Sequence, residues 1–136
     1  SPRRSAQGID AGRLSMVLAV VERRVGLPLA KLDVFALAVG GVRVVEPGAD
    51  LALALAVASA LRGHPVPPDL VACGEIGLGG ELRQVAHTPR RLAEAARLGF
   101  KRAVVPYSAP QEVEGIHLVR VGTLTDAIDR LGLLDP

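Results

Sequence analysis

Apolar residues at helical spacing predict a first helix near the start of the chain. The stripe consists of Leu14, Val17, Leu18, Val21 and Val25. Asp10 is placed to cap the N-terminus of this helix, because a short carboxylate accepts hydrogen bonds from the first free backbone N–H groups. Gly26 is placed to end it in the left-handed conformation, and Pro28 prevents it from continuing.

Two pairs of short apolar runs predict two β-hairpins. Residues 34–39 and 42–45 are separated by Gly40-Gly41, which is a typical hairpin turn. Residues 71–76 and 81–85 are separated by a turn that contains three glycines. Two further strands are predicted at residues 103–105 and 117–121.

Three more helices follow from their capping residues. Asp50 opens an alanine- and leucine-rich helix that reaches Leu61, and because this helix is apolar almost all round we expect it to be central and buried. Thr88, followed by Pro89, is placed to cap a third helix, and Thr123 caps a last helix that reaches residue 131.

The resulting order of elements is α-β-β-α-β-β-α-β-β-α. Hairpins combined with crossover helices predict an α/β (α+β) fold, with a mixed sheet and helices packed on it. Residues 1–9 are interpreted as a basic tail or linker, and residues 10–136 as one domain. The length of 136 residues favours one domain over two.

Composition narrows the class of protein. Apolar residues make up 49% of the chain and charged residues 22%, which excludes disorder over most of its length. Aromatic residues are only 2%, which argues against stacking platforms for single-stranded bases. The single cysteine, Cys73, excludes an internal disulfide and fits a reducing compartment. We expect no signal peptide, no membrane span and a cytoplasmic location. We also expect that a chain without an initial Met is a fragment of a longer protein.

The usual catalytic motifs are missing from the sequence. There is no P-loop, no dinucleotide fingerprint and no HExxH zinc motif. The histidines are far apart and are expected to be solvated or partly packed; they are His64, His87 and His117. Cys73 and His87 would make a nucleophile and base if they met, but a small buried cysteine is the commoner case in an apolar run.

Two charged pairs remain open to more than one interpretation. Glu75 and Glu81 flank the glycine-rich turn and would form a carboxylate pair if the hairpin closes tightly; alternatively, each faces solvent or an arginine. Arg90 and Arg91 lie in the first turn of the third helix, where cations oppose the helix dipole. They either bind a partner anion or are two exposed arginines.

One extended motif resembles the proteolytic domain of the Lon protease family. It runs from Cys73 to Val85 (CGEIGLGGELRQV) and continues through residues 91–96 and Gly99-Phe100. The resemblance implies the Lon proteolytic-domain fold, which is similar to domain 2 of ribosomal protein S5.

Further segments resemble one branch of this superfamily more closely. Residues 33–41 and 46–52, together with residues 2–4 and 8–22, are similar to the C-terminal Lon-like domain of the RadA (Sms) family of bacterial DNA repair proteins. The resemblance covers nearly the whole chain.

The resemblance also implies that the proteolytic residues are lost. Lon proteases use a serine nucleophile and a lysine base, and these positions correspond to Gly48 and Pro89 here. Arg90 is no substitute for the base, since a guanidinium does not deprotonate in proteins. The only lysines, Lys31 and Lys101, lie outside the matched motifs. We therefore expect no catalytic residue, no metal and no cofactor in this chain.

Membership of the RadA branch implies a role in a larger assembly. We expect a zinc finger and a RecA-like ATPase upstream, with ATP, Mg and Zn bound there. We also expect a hexameric ring that drives DNA branch migration, with a recombinase as a further partner. The domain would be a scaffold for that ring and an accessory DNA-binding surface. The alternatives are a divergent Lon-family serine peptidase, with its nucleophile at Ser15, Ser59 or Ser108, and a regulatory domain that binds a ligand near Gly48 and Pro89.

Four arginines are the candidates for contact with DNA. They are Arg3, Arg4, Arg90 and Arg91, the basic pairs that packing explains least. Because arginine contacts to phosphate oxygens carry no sequence information, we expect weak, salt-sensitive binding to single-stranded or branched DNA without sequence preference.

Overall fold

A computed structural model describes residues 2–136; Ser1, which begins the predicted tail, lies outside the described residues. The helices are α1 (Ala11–Val20), α2 (Asp50–Arg62), α3 (Thr88–Arg97) and α4 (Leu124–Arg130), with a π-helical turn at Val21–Val25 and a 3-10 turn at Pro47–Ala49. The strands are β1 (Arg4–Gln7), β2 (Val34–Leu37), β3 (Leu70–Ala72), β4 (Glu75–Ile76), β5 (Leu82–Arg83), β6 (Arg102–Pro106) and β7 (His117–Val121).

The strands form three small sheets. The largest is parallel, in the order β3-β6-β7, while β1 pairs with β2 in parallel and β4 pairs with β5 antiparallel. Parallel and antiparallel pairing thus occur together with four helices, which confirms the predicted α/β (α+β) class. The antiparallel β4–β5 pair confirms the second predicted hairpin, but only over its last residues before the turn. The single strand predicted over residues 71–76 is wrong, because residues 71–72 belong to β3 and pair with β6 in the three-stranded sheet.

Helices pack on both faces of the three-stranded sheet. Val104 of β6 packs in the main core, which also contains buried residues of α1, α2 and α4. Its neighbours Ala103 and Val105 point to the opposite face and pack with Leu92 and Ala95 of α3. The alternation of side chains along one strand therefore separates two layers of helix.

The sheet formed by β1 and β2 shows that the prediction of a basic tail is wrong. Arg4–Gln7 form β1, whose backbone pairs with β2 thirty residues later. The predicted hairpin across Gly40-Gly41 is also wrong. After β2 the chain turns back to residues 8–9, where Val44 bridges Ile9 and its N–H donates to the Gly8 carbonyl at 2.6 Å. Both apolar runs pair with the N-terminal segment instead of with each other.

Helix α2 is buried on one face only. Its buried residues are Asp50, Leu51, Ala54, Leu55 and Ala58. The alanines at 52, 56 and 60 are exposed, so the expectation of a central, buried helix holds for one face of α2 only. The helix ends at Gly63 in the left-handed conformation, as predicted.

The predicted caps hold at some helices and fail at others. Asp10 accepts the Arg13 N–H at 3.0 Å and Thr123 accepts the Asp126 N–H at 3.1 Å, as predicted. Thr88 does not cap α3 but is its first residue, where its buried hydroxyl donates to the Val85 carbonyl at 2.7 Å. Asp50 does not cap α2 either, because its carboxylate is engaged elsewhere.

Candidate functional site

The segments that the resemblance assigns to a nucleophile and a base lie together in the structure. Gly48 is buried in the 3-10 turn before α2, and a Cβ placed on it would lie 3.0 Å from Val85 Cγ2 and 3.5 Å from Arg91 Nη1. The chain entering α3 thus packs directly against Gly48. Pro89 is exposed in the first turn of that helix.

Arg91 occupies the space beside Gly48. Its Nε donates to the Ala86 carbonyl at 3.1 Å, and its Nη2 forms an ion pair with the Glu46 carboxylate. The hydrogen bond to Arg91 holds the pKa of Glu46 below its usual range, and the same bond raises the pKa of the Arg91 guanidinium. The anion that the sequence left open for Arg91 is therefore Glu46, a residue of this chain.

A cleft of about 470 Å³ opens beside Gly48. Its lining is mostly apolar and includes Ala49, Ala52, Val71, Ala72, Leu92, Ala95, Leu98 and Phe100. The charged residues that line it are Arg43, Glu46, Arg91 and Glu94. Local patterns did not reveal this cleft, because its walls are built from the same aliphatic residues as the core.

Cys73 also lines the cleft, where its thiol is half-buried. Burial raises the pKa of this thiol, so the nucleophilic thiolate form is disfavoured. His87 is exposed and takes the left-handed conformation before α3, with φ of 64°. In residues 2–136 no hydrogen bond joins the Cys73 thiol to the His87 ring, so the structure shows no nucleophile–base pair there.

Asp50, beside the cleft, is the buried end of an ion pair. Its two carboxylate oxygens accept Arg13 Nε at 2.7 Å and Arg13 Nη2 at 2.6 Å, and one of them also accepts the Ile76 N–H at 3.1 Å. Asp50 is 1% exposed and the Arg13 side chain 26%. This network ties α1, α2 and β4 together. A buried aspartate in an otherwise apolar helix was the sequence signal for it, and was interpreted as a cap.

The glutamates beside the glycine-rich turn do not form a carboxylate pair. Glu81 accepts the Gly79 N–H and Arg83 Nη2, both at 3.0 Å. Glu75 lies 4.0 Å from Arg13 Nη2, and its cross-strand partner is Arg83. The alternative in which each carboxylate faces an arginine is the one that the structure shows.

The remaining catalytic candidates are dispersed. The three histidines are exposed and lie on different parts of the chain. Ser59 donates to the His64 carbonyl at 2.6 Å, Ser108 accepts the Gln84 N–H at 3.1 Å, and Ser15 is exposed on α1. Among residues 2–136 there is no group of three or more histidine, cysteine or acidic side chains placed to hold a metal ion. None of the helices described there is long and apolar enough to span a bilayer.

The four candidate DNA-binding arginines lie at two places. Arg3 and Arg4 flank the start of β1; the Arg4 guanidinium donates to the Leu29 carbonyl at 2.8 Å, whereas the side chain of Arg3 is exposed. Arg90 is exposed in the first turn of α3, next to the paired Arg91. The structure therefore leaves Arg3 and Arg90 as the two of the four whose guanidinium groups have no partner within the described residues.

An exposed apolar surface around β2 was not expected from the sequence. We call it the β2 face; its exposed residues are Leu32, Phe35, Leu37, Val39, Val42 and Val45. A groove of about 660 Å³ runs beside it between β2 and α2, and Asp33 is the one charged residue in its lining. The unbroken apolar character of residues 34–39 was the available signal, but it was interpreted as one strand of a hairpin.

Comparison with known proteins shows which family this chain belongs to. A family model described as subunit ChlI of Mg-chelatase matches residues 16–109. The DNA repair protein RadA of Synechocystis sp. is 49% identical over 129 residues, and the protein of that name from Escherichia coli is 48% identical over 130 residues. The chain belongs to the family that this model describes, and its similarity to these relatives makes it a RadA-related domain. Each of the two alignments covers 94% of the chain but only 26% and 28% of the respective relative.

A more distant relative gives the same result. The DNA repair protein RadA of Mycobacterium tuberculosis is 44% identical over 128 residues, which are 94% of this chain and 27% of that protein. The RadA-related domain thus spans little more than a quarter of the length of the curated relatives named here. These relatives confirm the resemblance to the RadA family.

Proposed function

We propose that this RadA-related domain is a non-proteolytic assembly domain of a DNA repair protein, with a secondary role in contacting DNA. The observation that carries the assembly role is the β2 face. The six apolar side chains that define it are exposed within fourteen consecutive residues; Phe35 is 67% exposed and Leu37 64%. Apolar surface concentrated in this way is typical of protein–protein interfaces.

The backbone of β2 supports the same role. β2 has one partner strand, β1, so its other edge presents unpaired N–H and C=O groups to solvent within the described residues. An exposed, apolar edge strand without a charged side chain is prone to pair with another chain. A second copy of this domain, docked at the β2 face, would cover both the edge and the adjoining groove.

A loss of self-association in a charged variant tests the assembly role. Phe35→Glu/Leu37→Glu places two carboxylates on the β2 face and is expected to shift sedimentation velocity profiles toward monomer. Leu78→Glu is the control for an added surface carboxylate, since Leu78 is 72% exposed on the glycine-rich turn and is not part of the β2 face. If the double variant and the wild type sediment alike at every concentration, the β2 face is not the assembly surface.

The proposal of a non-proteolytic domain rests on the surroundings of Gly48. Gly48 has no side chain, Pro89 has no amine, and Arg91 fills the space beside Gly48. No geometry favours the alternative of a relocated serine, since Ser59 and Ser108 are hydrogen-bonded to backbone groups. We expect the domain to leave casein uncut and to escape labelling by serine-directed fluorophosphonates; stoichiometric labelling of any serine would contradict the proposal.

The proposed DNA contact rests on Arg3 and Arg90. Both guanidinium groups are exposed without an intramolecular acceptor in the described residues, and such groups are suited to phosphate oxygens. Binding is expected to be weak and to fall with salt, with each phosphate contributing roughly 0.7–0.9 to the slope of log affinity against log salt.

A charge-matched pair of variants tests this contact by fluorescence anisotropy on labelled single-stranded DNA. Arg3→Ala/Arg90→Ala is expected to flatten the salt slope. Arg97→Ala/Arg130→Ala removes the same charge from arginines that pair with Glu94 and Asp126, and is expected to leave most of the slope in place. Equal slopes for the two variants would show that Arg3 and Arg90 act only through net charge.

The remaining functions proposed for the RadA-related domain belong to a longer protein. We propose that such a protein forms a hexameric ring in the cytoplasm and binds Zn in a zinc finger and ATP with Mg in a RecA-like ATPase. It would act on recombination intermediates with a recombinase as a further partner. Purification of the full-length protein with and without residues 2–136 tests the ring directly. Unchanged hexamers after the deletion would contradict the scaffold role.

A further inference from the structure

We propose that the cleft beside Gly48 binds a small amphipathic anion, with an apolar body and a single carboxylate. Such binding requires neither self-association nor contact with DNA. The cleft has a volume of about 470 Å³, within the range typical of small-molecule sites. It is also distinct from the groove beside β2, with which it shares no lining residue.

The walls of the cleft define the apolar part of the ligand. Ala52 of α2, Val71 of β3 and Leu92 of α3 line three sides, and Phe100 supplies an aromatic wall. Side chains from three separate elements make this a concave site formed by the fold itself. Burying an aliphatic chain against such walls is favourable by roughly 25 cal/mol for each Å² of apolar surface removed from water.

The charges of the lining define the polar part of the ligand. Glu94 is neutralised by Arg97 through two hydrogen bonds, and Glu46 is paired with Arg91. Arg43 is exposed and, in the part of the chain that the structure describes, has no hydrogen-bond or ion-pair partner. The lining therefore carries one positive charge without a counter-ion, which is complementary to a monoanion.

Arg91 adds a directional donor to this charge. Its Nε and Nη2 are used by Ala86 and Glu46, whereas Nη1 lies toward Gly48, 3.5 Å from the position that a Cβ would take there. Within the described residues Nη1 has no hydrogen-bond acceptor, and Arg91 is part of the cleft lining. A ligand carboxylate at this point would accept from Nη1, with Arg43 as the second cation, while its apolar chain lies along Ala52 and Phe100.

Cys73 offers a reporter inside the cleft, because it is the only cysteine in the chain. The experiment measures its alkylation by N-ethylmaleimide, an uncharged reagent, in the presence of octanoate, octanamide or acetate. Octanoate is expected to slow alkylation, octanamide to need a concentration about tenfold higher for the same protection, and acetate to give none. The tenfold ratio corresponds to about 1.4 kcal/mol, at the lower end for a hydrogen bond to a charged group.

A pair of variants with equal charge separates the site from a general surface effect. Arg43→Gln is expected to remove most of the preference for octanoate over octanamide. Arg23→Gln also removes one exposed arginine without a partner in the described residues, but at a different cavity, and is expected to retain the preference. Near-UV circular dichroism and the alkylation rates without ligand establish that each variant is folded.

Three results would overturn the proposal. The first is that octanoate does not slow the alkylation of Cys73. The second is that octanoate and octanamide slow it equally at the same concentration. The third is that Arg43→Gln keeps the preference for octanoate over octanamide. Octanoate bound in the groove beside β2 would leave the alkylation rate unchanged and so gives the first of these results. If Arg43→Gln does not fold, the comparison of octanoate with octanamide on the wild type decides alone.

Discussion

Asp50→Ala tests whether the buried carboxylate is a structural ion pair or only a helix cap. The substitution removes both acceptors of the Arg13 guanidinium, at 2.7 and 2.6 Å, and the acceptor of the Ile76 N–H at 3.1 Å. Three elements, α1, α2 and β4, lose their common polar contact. A cap alone would involve only the first backbone groups of α2.

The magnitude follows from which groups are left without partners. The Ile76 N–H stays buried and unpaired, which costs about 1–3 kcal/mol. Arg13 is 26% exposed, so water replaces part of what its guanidinium loses. We therefore expect a total loss of about 2–4 kcal/mol, below the 3–5 kcal/mol reported for breaking fully buried pairs but above a typical cap effect of about 1 kcal/mol.

Removal of Arg13, the other partner of the ion pair, is expected to cost more free energy of unfolding than removal of Asp50. Arg13→Ala leaves the Asp50 charge, which is 1% exposed, without its cation, and is expected to cost about 3–5 kcal/mol. Urea denaturation with an unchanged m-value measures both variants, and Asp10→Ala, at a genuine N-cap, is the control at about 0.5–2 kcal/mol. The ion-pair account is refuted if Asp50→Ala costs no more than Asp10→Ala, or if Arg13→Ala costs less than Asp50→Ala.

Three further predictions follow from single residues. Gly48→Ala is expected to lower the free energy of unfolding by about 1–3 kcal/mol, because its Cβ would lie 3.0 Å from Val85 Cγ2; an unchanged thermal midpoint would contradict this. Burial raises the pKa of the Cys73 thiol above 9.0. The contribution of this thiol to stability is therefore full below its pKa in the unfolded chain and is lost as pH rises through its pKa in the folded protein. Cys73→Ala should remove that alkaline loss in urea titrations. The hydrogen bond from Arg102 lowers the pKa of Asp69 below 3.8. The contribution of this carboxylate to stability is therefore present above that value and is lost as pH falls through its pKa in the folded protein. Asp69→Asn should flatten this acid dependence of stability, and an equal dependence in both proteins would exclude the contribution.

Features that depend on neighbouring residues were predictable from the sequence. The caps at Asp10 and Thr123 and the left-handed end at Gly26 are confirmed, because each involves atoms only a few residues apart. The β4–β5 hairpin is confirmed for the same reason, since three glycines fix its turn locally. The mixed α/β class follows from such local elements.

Features that depend on distant partners were not predictable. β1 is defined by its pairing with β2, and a short basic segment carries no local signal of a strand. Asp50 has the composition of a cap, and only Arg13, thirty-seven residues earlier, shows that it is the buried half of an ion pair. The cleft likewise requires α2, β3 and α3 to be placed together, whereas the position of Gly48 near α3 was implied by family resemblance alone.

Gly48 and Arg91 leave position 48 poorly suited to a serine nucleophile. A serine side chain at position 48 begins with a Cβ that lies only 3.0 Å from Val85 Cγ2 and in van der Waals contact with Arg91, so its hydroxyl would enter space next to a guanidinium. A guanidinium stays protonated and cannot take the proton of a serine, and Pro89 supplies no amine that could. An acyl-transfer site of the serine–lysine kind would therefore require changes at 48, 89 and 91 together with a new counter-ion for Glu46. The same arrangement suits binding, because Glu46 fixes a cation at the lining of an apolar cleft.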